Sequence, residues 1–295
     1  MKTTLECIPC LVRQALQTAR MSTKDVDVQT EIVRSCSRYA GTADMSVSPA
    51  HFSMDVYRTI AEMSGNPDAF AELKAESNRL ALKMLPKIRS MVEASPDRLS
   101  AAAHAAVAGN VIDAGVNHGF DIERDLAEVM SLPFGWNDLE QFRSRMKPGA
   151  SVLYLLDNAG EIVFDRLLIE ELFAAGLKVT AVVKSGPILN DVLMADAEAA
   201  GLTDVCEVIE SGAAVVGVDW RKNPSAFRRR FDAADLVIAK GHGHFETLDT
   251  ESHPGLFCLL KSKCMLVSEM TGVNLGDLLF IRIATMYQRI GEKNK

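Results

Sequence analysis

Long runs of lysine and arginine are missing from this chain, and its formal charge is -7 over 295 residues. The densest basic cluster, Arg228-Arg229-Arg230, lies near the end of an expected helix, where a solvated face is the ordinary explanation. Nucleic acid is therefore not an expected partner. Apolar runs are short as well. None approaches the ~20 residues needed to cross a bilayer, and Glu6 falls where a secretory leader would carry its apolar core. These features predict no membrane association and a cytoplasmic protein. Cysteine is scarce, at six residues, which excludes a disulfide framework. Cys36, Cys206, Cys258 and Cys264 lie in mixed or apolar surroundings that suit plain buried thiols. Three catalytic signatures are also absent. Nothing reads Gly-x-Gly-x-x-Gly after the first strand, no Gly-Lys-Ser or Gly-Lys-Thr phosphate loop occurs, and no serine occupies a nucleophile elbow.

What is present is enough apolar residue, 48% of the chain, to fill a core in one large domain or two packed ones. The first half reads helical. Leu11, Val12, Ala15 and Leu16 recur at helical spacing, as do Val28, Ile32, Val33 and Cys36, and then Met54, Tyr57, Ile60 and Ala61. A long candidate helix runs from Asp68 to about Val92, with Pro86 expected to bend or divide it. An alanine-rich segment from Leu99 to Ala114 would admit close approach by a neighbour. Everything up to about Lys147 can be built from helices and short loops. From Pro148-Gly149 the character changes, and short β-branched or leucine-rich runs begin at Ser151, Lys178, Val205, Asp235 and Lys263. Helical stretches from Glu161 to Ala175 and from Asp191 to Ala200 separate the first three. Strand, helix, strand at this spacing predicts βαβ units. The expected fold is α/β: a Rossmann-like, three-layer, parallel-rich sheet over residues 148–295, preceded by a helical subdomain over residues 1–147.

Ligands of such sheets collect beyond the carboxyl ends of the strands. Asp157, Asn158, Gly160 and Glu161 follow the first run; Lys184, Asn190 and Asp191 follow the second; Lys240, Gly241, His242, Gly243 and His244 follow the fourth. Asp157, Asn158 and Asp191 can give three oxygens to a hard divalent cation, magnesium or manganese above all, with cobalt or nickel as further choices. Lys240 could neutralise a phosphate oxygen, and backbone donors at Gly160 and Gly241 could approach the same anion. A single Asp or Asn before a helix is more often an N-cap. The recurrence at three strand ends is what favours a site. His242 and His244 need not converge on one ion.

These segments carry a resemblance. Asp157-Asn158-Ala159-Gly160-Glu161-Ile162-Val163-Phe164-Asp165, Gly109-Asn110-Val111-Ile112-Asp113, Asn190-Asp191 and Lys240-Gly241-His242-Gly243 resemble the signature segments of the damage-control phosphatase, or DUF89, family. Cys7-Ile8-Pro9-Cys10 resembles the paired-cysteine motif of its prokaryotic branch. The resemblance implies that Asp157, Asn158 and Asp191 hold a metal, that Lys240 contacts substrate phosphate, and that Asn110 and Asp113 reach the cleft from the helical half. It implies a metal-dependent phosphatase acting on a small phosphorylated metabolite, with Asp157, Glu161 and Lys240 as the catalytic residues. Glu161 would serve as outer ligand, water-holder or proton carrier. A non-catalytic binder of a phosphorylated metabolite or nucleotide is the alternative, as is a carboxyl methyltransferase, although no glycine-rich cofactor loop supports the latter. For Cys7 and Cys10, helix packing, a redox role and zinc binding all remain open.

Overall fold

The computed structural model describes residues 1–109 and 128–293. Asn110, Asp113 and His118 lie outside the described residues. Helices α1 (Cys7–Ser22), α2 (Val26–Ala40) and α3 (Pro49–Ser64) form a small bundle, and α4 (Ala71–Ala94) and α5 (Arg98–Ala108) follow. The caps explain the boundaries. Asp25 accepts the backbone N–H groups of Asp27 and Val28, Ser48 accepts that of His51 ahead of Pro49, and α3 stops at left-handed Gly65.

The sheet then builds from β1 (Phe134–Asn137), β2 (Ser151–Leu155), β3 (Lys178–Val183), β4 (Glu207–Glu210), β5 (Leu236–Lys240), β6 (Leu256–Lys261) and β7 (Leu278–Arg282). Between them lie α6 (Leu139–Arg143), α7 (Glu161–Ala174), α8 (Met194–Ala199), α9 (Ser225–Ala233), α10 (Gly241–Leu248) and α11 (Met265–Thr271), and α12 (Ile283–Lys293) follows β7. The strand order is β1-β7-β6-β5-β2-β3-β4. Every pairing is parallel except β6 with β7. The chain steps outward in one direction from β2 and in the other from β5, so the order reverses between these two central strands, where open α/β sheets form a crevice.

Apolar residues cover both faces. Ala102, Ala105 and Ala106 of α5 pack with Ile162, Val163 and Phe164 of α7 on one face. Phe231, Phe245 and Val267, from α9, α10 and α11, cover the other. The α1–α3 bundle has its own core around Ala15, Ile32, Phe52 and Ile60, and Ile188 from the loop after β3 packs into it. Each such fully buried large side chain contributes about 1.5–3 kcal/mol. Just past α5 the approach is closest at a glycine: a Cβ on Gly109 would lie 2.8 Å from the Cα of Glu161.

Several expectations need correction. Phe134–Asn137, placed by sequence among helices, is a strand paired with β7. The run at Lys263 is no strand, because Met265–Thr271 is helical and ends at left-handed Gly272, while the strands are β6 and β7. Short apolar runs carry too little periodicity to separate the two states. Pro86 does not divide α4, which continues through it. Asp191 does not begin a helix; α8 starts three residues later. No helix among the described residues is long and apolar enough to cross a membrane.

Candidate metal and phosphate site

The carboxyl ends of β2, β3 and β5 meet at a cleft of about 370 Å3, lined by Asp157, Asn158, Asp191 and Gly241 and also by Cys7, Cys10 and Cys264. The chain brings Asp157 and Asp191 together through backbone pairing. Asn158 forms an antiparallel bridge with Asp191, Val192 N–H donates to Asp157 O at 2.9 Å, and Ala159 N–H donates to Asn190 O at 2.9 Å. The capping explanation fails for these residues. The cap position of α7 is Gly160, with no side-chain cap, and it is Asp196 that accepts the Leu193 N–H at the start of α8.

Asn158 uses its amide hydrogens on carboxylates, donating to Asp157 Oδ2 at 2.9 Å and Glu161 Oε1 at 2.8 Å. Because the amide is planar, this points its carbonyl oxygen the other way. Gly241 is required beside Asp157. Its φ is +78°, and a Cβ there would lie 1.9 Å from Asp157 Oδ2.

Lys240 lies one layer deeper and is 1% exposed. Its ammonium donates to Ala106 O at 2.8 Å, Glu161 Oε2 at 3.2 Å and Asp165 Oδ1 at 2.7 Å. Three hydrogens thus meet three acceptors, and a phosphate oxygen would have to replace one of them. Asp165 also accepts the Tyr154 hydroxyl at 2.7 Å. Burial raises the Asp165 carboxyl to about 6 against the pull of Lys240, while the surrounding carboxylates hold the Lys240 ammonium above its ordinary value.

Three participants had no role assigned from the sequence, although Lys184 and His244 were noted at strand ends. Lys184 ends the β3 segment and is buried; it donates to Gly217 O at 2.7 Å and lies 3.5 Å from Asp191 Oδ2 and 3.3 Å from His244 Nε2. Burial lowers its pKa, and Asp191 and Asp157 oppose the shift. His244 is no metal ligand: its Nδ1 lies 2.8 Å from Lys240 O, so the neutral ring donates there and accepts from Lys184. Burial and the adjacent Lys184 push its pKa well down. His242 lines the same cleft, with its Nε2 2.8 Å from Lys261 O. The third is Asn78 of α4, 4% exposed, which accepts the Gly160 N–H at 2.7 Å and donates to Asp196 at 2.9 Å. A lone asparagine in a helix gave no signal of this.

Burial raises Asp157 well above the usual carboxylate range, and Glu161 and Asp191 add to the rise; burial likewise raises Asp191, to about 6. Asp157, Glu161, Asp165 and Asp191 face two buried ammonium groups, Lys184 and Lys240, so the fully ionised set is two charges short of neutral. That deficit and the oxygen donors of Asp157, Asn158 and Asp191 fit a hard divalent cation. No three His, Cys, Asp or Glu side chains gather as a metal cluster among the described residues. The fit therefore rests on two carboxylates and an amide.

A family model for the damage-control phosphatase ARMT1-like domain matches residues 3–279. The chain belongs to the damage-control phosphatase family. It is 31% identical to a damage-control phosphatase of Pyrococcus horikoshii, covering 96% of this chain and 98% of that one. Likewise it is 31% identical to a damage-control phosphatase of Archaeoglobus fulgidus, covering 95% and 98%. An uncharacterized protein of Methanocaldococcus jannaschii is 32% identical over 94% of each chain. A crystal structure of a DUF89 family protein from Pyrococcus horikoshii superposes with a TM-score of 0.85 at 30% identity, covering 96% of this chain and 99% of that one. Damage-control phosphatases are thus matched along nearly the whole length, and Cys7 and Cys10 form a CxxC pair at the start of the matched region.

Proposed function

We propose that this protein is a metal-dependent phosphatase that hydrolyses a small phosphorylated metabolite. The observation that carries the reading is the pairing of the β2 and β3 loops, which brings Asp157, Asn158 and Asp191 to one point at the switch between β2 and β5. In this reading Asp157 and Asp191 hold the cation through carboxylate oxygens and Asn158 through its carbonyl. When bound, the cation withdraws charge from the phosphoryl oxygens and from water.

The remaining work falls to the chain. Glu161 orients Asn158 through Oε1 and is itself held by Lys240 through Oε2. Lys240 also supplies fixed positive charge beneath the phosphoryl group, which counts for more in a dry site than in water. The backbone N–H group of Gly241 binds a phosphate oxygen, with Asn110 and Asp113 completing the substrate end, whereas the Gly160 N–H is held by Asn78 Oδ1 and reaches phosphate only if that bond opens. Asp157 either positions the attacking water or attacks phosphorus in line itself, expelling the alcohol and forming an acyl phosphate that water then opens.

The test is turnover of a panel of phosphate monoesters with magnesium, manganese, cobalt or nickel. Activity that disappears in folded Asp157→Ala and Asp191→Ala variants supports the reading. Stoichiometric ligand binding without turnover, or turnover that survives both substitutions, overturns it. A single turnover quenched in acid separates the two roles of Asp157, since only the covalent route leaves phosphate on the peptide that contains Asp157.

A further inference from the structure

Three thiols line the cleft. Cys7 and Cys10 enter from the first turn of α1 and Cys264 from the residue before α11, so thiols from separately packed elements face one cavity. Cys36 and Cys258 are buried by contrast. Packing was the ordinary expectation for Cys264, and it is half-buried against the core, but it also lines the cleft beside His242, whose Nε2 lies 3.1 Å from the N of the preceding residue, Lys263. The His242 ring is fixed: Nε2 lies 2.8 Å from Lys261 O and 3.1 Å from Lys263 N, and Nδ1 lies 3.7 Å from Glu246 Oε1. Burial alone would discharge the imidazole, yet Cys264 and Glu246 carry it to about 9, and the same contact lowers the Cys264 thiol despite its own burial. Cys10 is exposed to the cleft and lies within electrostatic reach of Cys264 and Cys7. Burial raises the Cys10 thiol. The two cysteines are therefore unlike: the surroundings shift the Cys264 thiol down and the Cys10 thiol up.

We propose that Cys264 is a thiol-modification site, poised by His242, which reacts with a low-molecular-weight disulfide and passes the link to Cys10. The Cys264 thiolate attacks one sulfur of R–S–S–R, forming a mixed disulfide and expelling one thiolate. Cys10 loses its proton to solvent and attacks Cys264 Sγ, expelling the second. Two protein thiols are oxidised by two electrons, and the small disulfide is reduced to two thiols. The product ties α1 to α11 across the cavity that leads to Asp157. No step depends on phosphatase activity, so the proposal stands or falls separately from it.

The test treats the reduced protein with oxidised glutathione, traps remaining thiols by alkylation and digests with trypsin. The tryptic peptide 264–282 contains Cys264, and the peptide 3–13 contains both Cys7 and Cys10. The expected product joins these two peptides. It persists in Cys7→Ser, whereas Cys10→Ser halts at glutathione on Cys264. His242→Gln slows modification of Cys264 at neutral pH, by about threefold for each unit by which the thiol pKa rises, because a unit of rise removes tenfold of thiolate and returns about threefold in nucleophilicity. A link between Cys7 and Cys10, modification confined to peptide 3–13, an unreactive Cys264, or an unchanged rate in a folded His242→Gln variant overturns the proposal.

Discussion

Replacing Gly241 by alanine probes the candidate site with almost no change in chemistry. Two separate effects are built into the position. The first is backbone strain: at φ +78° an alanine is destabilised by about 1–2 kcal/mol. The second is overlap, since the new methyl carbon would lie 1.9 Å from Asp157 Oδ2 and 2.2 Å from its Cγ. To regain van der Waals contact the carboxylate must retreat by roughly 1.5 Å, against a tolerance of about 0.2 Å in ligand distances. Gly65 and Gly149 provide the control, because their φ values are +67° and +84° and an added Cβ at either meets nothing within 4 Å. Urea unfolding and calorimetric titration with manganese separate the effects. All three alanine variants should lose about 1–2 kcal/mol of stability from strain, and Gly241→Ala more. In addition, Gly241→Ala alone should lose at least about tenfold in metal affinity, a loss of about 1.4 kcal/mol, with turnover falling in parallel. Normal metal binding by a folded Gly241→Ala protein would refute the assignment of Asp157 as a ligand, and an equal loss in Gly65→Ala would refute the steric argument.

Three further substitutions test the supports of the site. His244 is held neutral, so unfolded chains take up a proton that folded ones refuse once the pH drops below 6.5. Its contribution is complete above that pH and is lost as pH falls toward the depressed folded value, with a slope of up to ~1.4 kcal/mol per unit. His244→Gln should flatten the fall in urea stability between pH 6.5 and 5 relative to wild type, and an unchanged slope would contradict the neutral assignment. Asn78→Ala leaves the Gly160 N–H and an Asp196 oxygen without their partner, which should cost about 1–3 kcal/mol in chemical denaturation; a neutral result would show that water replaces it. Lys240→Met strands Glu161 and Asp165, so a loss of about 3–5 kcal/mol is expected. Combining it with Asp165→Asn should recover part of that loss, and a double variant no more stable than the single one would count against the buried ion pair.

How far the sequence carried depends on whether the signal was local. β2, α7 and β3 were legible because Val152 to Leu156, the segment after Glu161 and Lys178 to Val183 each repeat one period long enough to count. The Asp157 and Asp191 pairing was legible only as residue types at strand ends, since the bridge that joins them spans the loop from Ile188 to Asp191. β1 and β7 were not legible: Phe134-Gly135-Trp136-Asn137 is too short to show alternation, and it becomes a strand only because β7 offers a parallel edge. Lys184, His244 and Asn78 could not be paired by inspection either, as their contacts cross 60 residues from Lys184 to His244 and 82 from Asn78 to Gly160. For Cys264 the sequence carried only part of the surroundings: it is half-buried against the apolar core, as expected, but it also lines the cleft. Its neighbours in sequence, Met265 and Leu266, do not show that His242, from the preceding strand–helix unit, lines the same cleft.

The charge arrangement implies an order of binding. A phosphate monoester carries close to two negative charges, and the cleft it must enter ends on Asp157 and Asp191 with Glu161 behind them. The two buried lysines are already committed, Lys240 to three acceptors and Lys184 to Gly217 O and Asp191. Without a cation, two anionic groups about 4 Å apart repel by about 4 kcal/mol even at an effective dielectric near 20, a penalty of roughly a thousandfold in affinity. With a divalent cation on the carboxylates the sign of that interaction reverses. Inorganic phosphate, titrated calorimetrically, should therefore bind only after manganese is present, and by linkage phosphate should tighten manganese binding by the same factor. Equal phosphate affinity with and without the cation would show that the anion is held elsewhere, and would separate the metal site from the substrate site.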